Sequence, residues 1–193
     1  IIFLFNQYFK FIMKIIAIVG LTGSGKSETA KVIETKGYTK IRFGDITDEE
    51  IHQRGLELNE KNEKFVREKL RDELGMGAYA IKNIPKIDKA VEEGKQIVID
   101  GLYSWEEYLE LKKKYGDDII ILAVYAPPKE RYKRLGVRNI RPLTKEEGQS
   151  RDIAEIENIN KAGPISMADY TILNTETLKE LDEKTIKFLE SEN

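Results

Sequence analysis

Gly20, Leu21, Thr22, Gly23, Ser24, Gly25, Lys26 and Ser27 fit the pattern G-x-x-x-x-G-K-[ST] in full, and no other segment of the chain constrains its fold as much. Before it, Lys14 to Val19 is a short apolar, β-branched run of the kind a buried parallel strand needs. After it, residues 26 to 36 are rich in helix formers and stop at Gly37. Strand, glycine-rich turn, helix is the context that makes this motif a phosphate-binding loop, or P-loop. Glycines let successive backbone N–H groups point inward at phosphate oxygens, and the helix start adds unpaired donors and a partial positive charge. In such a loop Lys26 reaches the β- and γ-phosphates and the Ser27 hydroxyl holds Mg²⁺. The expected ligands are a nucleoside triphosphate, taken as ATP with GTP left open, and Mg²⁺.

The 193 residues suit one domain with a sheet covered on both faces. Charged residues make up 34% of the chain but nearly balance, at a net charge of −2, so neither DNA nor an anionic membrane is an expected partner. There is no cysteine and one histidine, His52, which excludes disulfides, thiolate zinc sites and histidine-based metal sites. The abundance of Lys, Glu and Ile leans toward a thermophile. Residues 1–12, IIFLFNQYFKFI, differ from the rest: apolar and aromatic, too short to span a bilayer, and without the basic leader or cleavage site of a signal peptide. The natural chain is expected to begin at Met13, with a real apolar tail as the alternative. A cytoplasmic protein is expected.

Strand-like runs recur at Lys14–Val19, Thr39–Phe43, Gln96–Asp100, Ile119–Tyr125 and Tyr170–Leu173, with helical stretches between them. Ser104 with Glu107, Thr144 with Glu147, and Thr47 with Glu50 have capping-box spacing, while Pro127 and Pro128 open one helix and Gly94 closes another. This alternation predicts right-handed βαβ units and a parallel sheet. The expected fold is a three-layer α/β/α P-loop fold, a single domain over 13–193, with a five-stranded parallel sheet of order 2-3-1-4-5. Two stretches exceed what a crossover needs, about 45–94 and about 136–163. In a P-loop domain so arranged, the first would hold a phosphate acceptor and the second would close as a lid.

Outside the loop, Asp100 ends an apolar strand and Gly101 allows a sharp exit, placing a carboxylate where it can orient waters on Mg²⁺. Asp45 ends the second strand and is the candidate general base or acceptor-binding group. Arg131, Arg134, Arg138 and Arg141 are spaced 3, 4 and 3, in a segment from 127 to 141 with six basic residues and one acidic. Arginine forks suit phosphate oxygens and developing negative charge, which makes Arg138 and Arg141 catalytic candidates, with Arg151 a further lid candidate. Arg67 and Arg71 share a helix face; acceptor-phosphate binding and intrahelical pairing account for them equally well.

With these residues in view, the chain from Met13 onward resembles the nucleoside-monophosphate-kinase branch of P-loop proteins. It is similar to adenylate kinase and dephospho-coenzyme A kinase, and most of all to an archaeal adenylate-kinase-related family. The loop GLTGSGKS and ADYTILN at 168–174 look like dephospho-coenzyme A kinase. VIDG at 98–101, FGD at 43–45 and the helix PPKERYKRL resemble adenylate-kinase-like segments. The likeness implies a Mg²⁺-dependent phosphotransferase passing the γ-phosphate of ATP to a small nucleotide- or coenzyme-like acceptor, with Asn174 bordering the adenine. Two positions depart from the family pattern: Asp48 and Leu102 or Tyr103 stand where acceptor-clamping arginines are usual. The alternative expectation is a nucleotide-dependent switch or assembly ATPase with a protein or RNA partner.

Overall fold

The computed structural model describes residues 14–139 and 142–192. The expectations for the apolar leader, the Met13 start and Arg141 lie outside the described residues. Five strands, β1 (Ile15–Val19), β2 (Thr39–Arg42), β3 (Ile97–Asp100), β4 (Ile119–Tyr125) and β5 (Tyr170–Leu173), form one parallel sheet. Their order is β2-β3-β1-β4-β5, as the alternation of elements predicts. The strand ranges agree with the sequence reading to within one residue, Lys14, Phe43 and Gln96 falling just outside. In register, Ile15 lies between Ile97 and Ile119, and Ile18 between Asp100 and Leu122. β1 is thereby the central strand, and the P-loop leaves from its carboxyl end.

Nine helices among the described residues complete the fold: α1 (Lys26–Thr35), α2 (Asp45–Gln53), α3 (Glu60–Leu74), α4 (Ala78–Glu92), α5 (Trp105–Tyr115), α6 (Pro128–Val137), α7 (Lys145–Ile159), α8 (Ala162–Ser166) and α9 (Leu178–Ser191). Successive side chains of a strand point to opposite faces, so both faces of a doubly covered sheet must be apolar. Along β1, Ile15, Ala17 and Val19 join one core with Phe43, Tyr79, Ile87, Leu111 and Ile121. Ile16 and Ile18 join the other, with Ala30, Ile33, Leu181 and Phe188 of α1 and α9. The edge strands β2 and β5 are four residues long and mostly not buried, which limits their capacity to pair with another chain.

Side-chain caps fix several helix starts. Ser104 with Glu107 opens α5 and Thr144 with Glu147 opens α7, both as complete capping boxes, and Thr177 with Glu180 opens α9 in the same way. The third expected box does not form. The cap falls three residues earlier, at Gly44, so that α2 begins at Asp45, and the Thr47 hydroxyl lies 2.7 Å from that of Tyr79 inside the fold. Asp45 and Asp48 instead place negative charge in the first turn of α2, where the helix dipole favours it. Among the described residues, no helix is long and apolar enough to cross a membrane.

Candidate functional site

The P-loop turns into α1 through Gly25, which has φ +106°, in the left-handed region that glycine enters without steric cost. A β-carbon there would come within 2.4 Å of the Asn174 amide nitrogen. No side chain caps α1, in contrast to α5, α7 and α9, so its first-turn N–H groups keep their capacity for an anion. The Lys26 ammonium donates to the Leu21 carbonyl at 3.0 Å, which folds it over the loop. Burial, followed by the repulsion of Lys161, pulls Lys26 down to about 7.

Asp100 at the end of β3 is nearly buried and accepts a hydrogen bond from the Ser27 hydroxyl. Burial raises its carboxyl above the ordinary range, against the pull of Lys26 and Arg42. The two residues expected to place a metal are thus in contact. Among the described residues there is no cluster of three or more carboxylate, imidazole or thiol groups fit to cage a metal ion. One hydroxyl and one carboxylate suit Mg²⁺, which keeps several waters and takes its remaining ligands from phosphates.

A cleft of about 460 Å³ runs from Lys26 and Ser27 past Gly23 to Arg134, Arg138 and Asn174. It therefore brings together the loop, one of the two expected arginines and the expected adenine neighbour. Asn174 is itself buried, and its amide donates to the Ser24 carbonyl at 2.8 Å, bracing the P-loop from the end of β5. Arg134 donates to the Asn174 carbonyl at 3.1 Å, while its Nη1 is buried without a hydrogen-bond partner. Arg138 is half-buried at the end of α6.

Arg131 has a different place. It is 2% exposed and grips Asp152 of α7 through two bonds of 2.7 and 2.6 Å. It also donates to the carbonyls of Ala126 and Thr22, so it ties the P-loop to α6 and α7. Beside it, Glu155 of α7 accepts from the Thr22 hydroxyl at 2.8 Å, from Arg151 at 3.1 Å and from Lys161 at 2.8 Å. Those donors, led by Lys161, overcome the cost of burial and hold the Glu155 carboxyl down at about 2.

On the opposite side of Asp100 the arrangement is looser. Asp45 is about half exposed and accepts from Arg42 at 3.0 Å, and Asp48 faces solvent. Arg42 also feels Tyr103 and Asp100. The Tyr103 ring folds back on Gly101, where a β-carbon would sit 2.6 Å from its hydroxyl, so Tyr103 occupies its position only because residue 101 is glycine. Burial, with Asp100 nearby, pushes the Tyr103 phenol up to about 12. Arg67 pairs with Glu60 and Glu63, whereas Arg71 lies over the Tyr79 ring at 5.9 Å with its Nε buried and unbonded. Sequence reasoning did not single out Glu155, Lys161 or Arg42. The only hint in the chain was Arg151 four residues before Glu155, a spacing shared by many solvent-exposed helix pairs.

Residues 16–155 match the AAA domain family. A UPF0200 protein of Pyrococcus horikoshii is 38% identical over 90% of this chain and 94% of its own length. A dephospho-CoA kinase from Campylobacter jejuni superposes with a TM-score of 0.57 at 14% identity, covering 93% of this chain and 97% of that one. A shikimate kinase from Bacteroides thetaiotaomicron gives a TM-score of 0.58 at 14% identity, covering 92% and 98%. These two share the fold, a P-loop kinase-like one. The chain belongs to the UPF0200 family of P-loop proteins with an AAA domain.

Proposed function

We propose that this UPF0200 family member is a Mg²⁺-dependent phosphotransferase that passes the γ-phosphate of ATP to a small, hydroxyl-bearing acceptor of nucleotide or coenzyme type. The observation that carries the reading is the uncapped start of α1, with Lys26 over it and the bonded Ser27 and Asp100 at its side, opening into a cleft of about 460 Å³. A helix N-terminus with a lysine and a metal-placing pair is the equipment of phosphoryl transfer, where catalysis is largely positioning and charge neutralisation.

In this reading the P-loop from Gly20 to Ser27 cradles the phosphates, and Ser27 and Asp100 would hold Mg²⁺, which would supply neutralising charge there. Asn174 shapes the base end of the cleft, with Arg134 beside it. Lys26 and Arg138 offset the charge that develops on the transferring group, and Arg141 is proposed for the same task. Asp45 orients the acceptor hydroxyl. The segment about 136–163 acts as the lid and the segment about 45–94 as the acceptor side.

One observation favours a second reading. Tyr103 sets a phenol beside Asp100 and Asp48 faces solvent, where an acceptor phosphate would be better served by guanidinium groups. A nucleotide-driven switch with a protein or RNA partner has no need of such a clamp. Protein starting at Met13, incubated with Mg²⁺, γ-labelled ATP and a panel of nucleoside monophosphates and dephospho-coenzyme A, separates the two. Label in one acceptor, well above a water control, is the expected result. Label released only as free phosphate, whatever acceptor is present, would reject the kinase reading in favour of the switch.

A further inference from the structure

Lys161 is 1% exposed, as buried as any aliphatic core residue. Taking an ammonium out of water is costly, and a buried ion pair is often no better than an apolar pair of the same size. The position needs a reason. α7 ends at Asn160, the one non-glycine residue with positive φ among those described, at φ 51° and ψ 35°. Asparagine tolerates this left-handed conformation better than most residues. The turn there sends the next side chain inward, over the Tyr103 ring at 5.0 Å and onto Glu155 at 2.8 Å.

What surrounds that ammonium is the mouth of the P-loop. Glu155 also takes the hydroxyl of Thr22, the third residue of the loop, at 2.8 Å. Lys161 lies near enough to Lys26 to help pull it down, and Glu155 and Asp100 act on Lys26 in the opposite sense. The cluster sets three cations, Lys26, Lys161 and Arg151, against two carboxylates, Glu155 and Asp100. Two ammoniums that repel each other are eased by a shared anion, and the Glu155 carboxylate bonded to Lys161 supplies part of that charge.

We propose that Lys161 is a second phosphate-facing cation of this site, a residue that exchanges its bond to Glu155 for the γ-phosphate of the donor. Glu155 is then a built-in competitor that keeps the ammonium in place until a phosphate claims it. The inference rests on the ATP-donor reading above and adds to it a residue outside the P-loop and outside the α6 arginines. A lysine is a compact point charge on a flexible stem, suited to changing partners in this way.

Calorimetric titration of Mg·ATP and Mg·ADP into wild type, Lys161→Met and Glu155→Gln tests it. Methionine keeps most of the stem and removes the charge. Lys161→Met should weaken ATP about tenfold, the loss of one charged contact, and ADP less than about twofold. Glu155→Gln should change ATP affinity in the opposite direction, tightening it about two- to fivefold. Lys161→Arg keeps the charge and should keep the preference for ATP over ADP. If Lys161→Met lowers ATP and ADP affinity equally, or if both charge-removing variants weaken ATP alike, the pair is only a structural brace and the proposal is wrong. Loss of the ATP preference in Lys161→Arg would also overturn it. Wild type that binds neither nucleotide would defeat the donor reading itself, and this inference with it, which is a different result from binding without discrimination.

Discussion

The two sides of Asp100 are built in different ways. Toward the P-loop, the site is built from backbone: an uncapped helix start, a left-handed glycine and a carbonyl that seats Lys26. Toward α2 to α4, it is built from long side chains, such as Arg42 of β2 on Asp45 at the start of α2 and Arg71 of α3 over Tyr79 of α4. A backbone cradle depends on a few residues at fixed spacing, so its tolerance for change is small. Side-chain contacts between packed helices can be rearranged by single substitutions, which is how one fold serves different acceptors.

The most severe way to break the first side is Lys26→Ala. Phosphate transfer or ATP turnover should fall about 10²–10³-fold, the cost of removing a preorganised charge-stabilising donor. A label-transfer assay reads it, and undiminished turnover would remove the P-loop from the mechanism. Next in size is the brace that joins the loop to α7. Arg131→Met leaves the buried Asp152 carboxylate without its cation, bonded only by the Tyr132 hydroxyl, and should cost about 3–5 kcal/mol in urea unfolding. A cost under about 1 kcal/mol would mean that α7 is not held by this pair.

Gly25→Ala should be milder in stability, at about 1–2 kcal/mol for the left-handed backbone alone, with the contact to Asn174 adding to it. ATP affinity should fall with it, because the loop cannot keep its shape. On the second side, Arg67→Ala removes partly exposed pairs with Glu60 and Glu63 and should change unfolding free energy by less than about 1 kcal/mol. A larger loss there would erase the contrast between the two sides.

Glu107 sharpens the comparison through pH. Burial pushes its carboxyl up to about 7, although the N–H groups of Tyr103 and Ser104 hold it down in part. A carboxyl with a folded value above its unfolded one binds more protons when folded, so its contribution to stability is present below about pH 4.5 and is lost as pH rises toward 7. Glutamine can fill the same capping box without that titration. Melting temperatures of Glu107→Gln relative to wild type should therefore improve between pH 5 and 7; a constant difference over that range would contradict the assignment.

Much of the first side was legible in the chain. The glycine spacing marks a loop because only glycine accepts φ +106° at little cost, and the position of Asp100 follows from an apolar run ending in a carboxylate. The sheet order followed from alternating strands and helices. What the chain concealed depends on distance along it. Thr22 and Glu155 are bonded across 133 residues, and the Arg131 bond to Asp152 crosses 21. The periodic spacing of Arg131, Arg134 and Arg138 suggested one shared face, but packing divides them: Arg131 is sealed onto Asp152, while Arg134 and Arg138 line the cleft. Thr47 had the spacing of a helix cap, but the cap falls at Gly44 and the helix starts nearly a turn earlier, at Asp45.

The central claim is that the P-loop face is an anion site whose lysine is held near neutrality until a triphosphate reaches it. Lys26 stands at about 7, well below the ordinary value of 10.5, and nearby phosphate charge must raise it again. Binding of Mg·ATP at pH 7.5 should therefore take up protons. Titration calorimetry in two buffers of different ionisation enthalpy measures that uptake directly. A heat that changes with buffer in wild type, in the direction of proton uptake, and does not do so in Lys26→Ala is the predicted result. Binding with the same heat in both buffers, or no binding at all, would contradict the account.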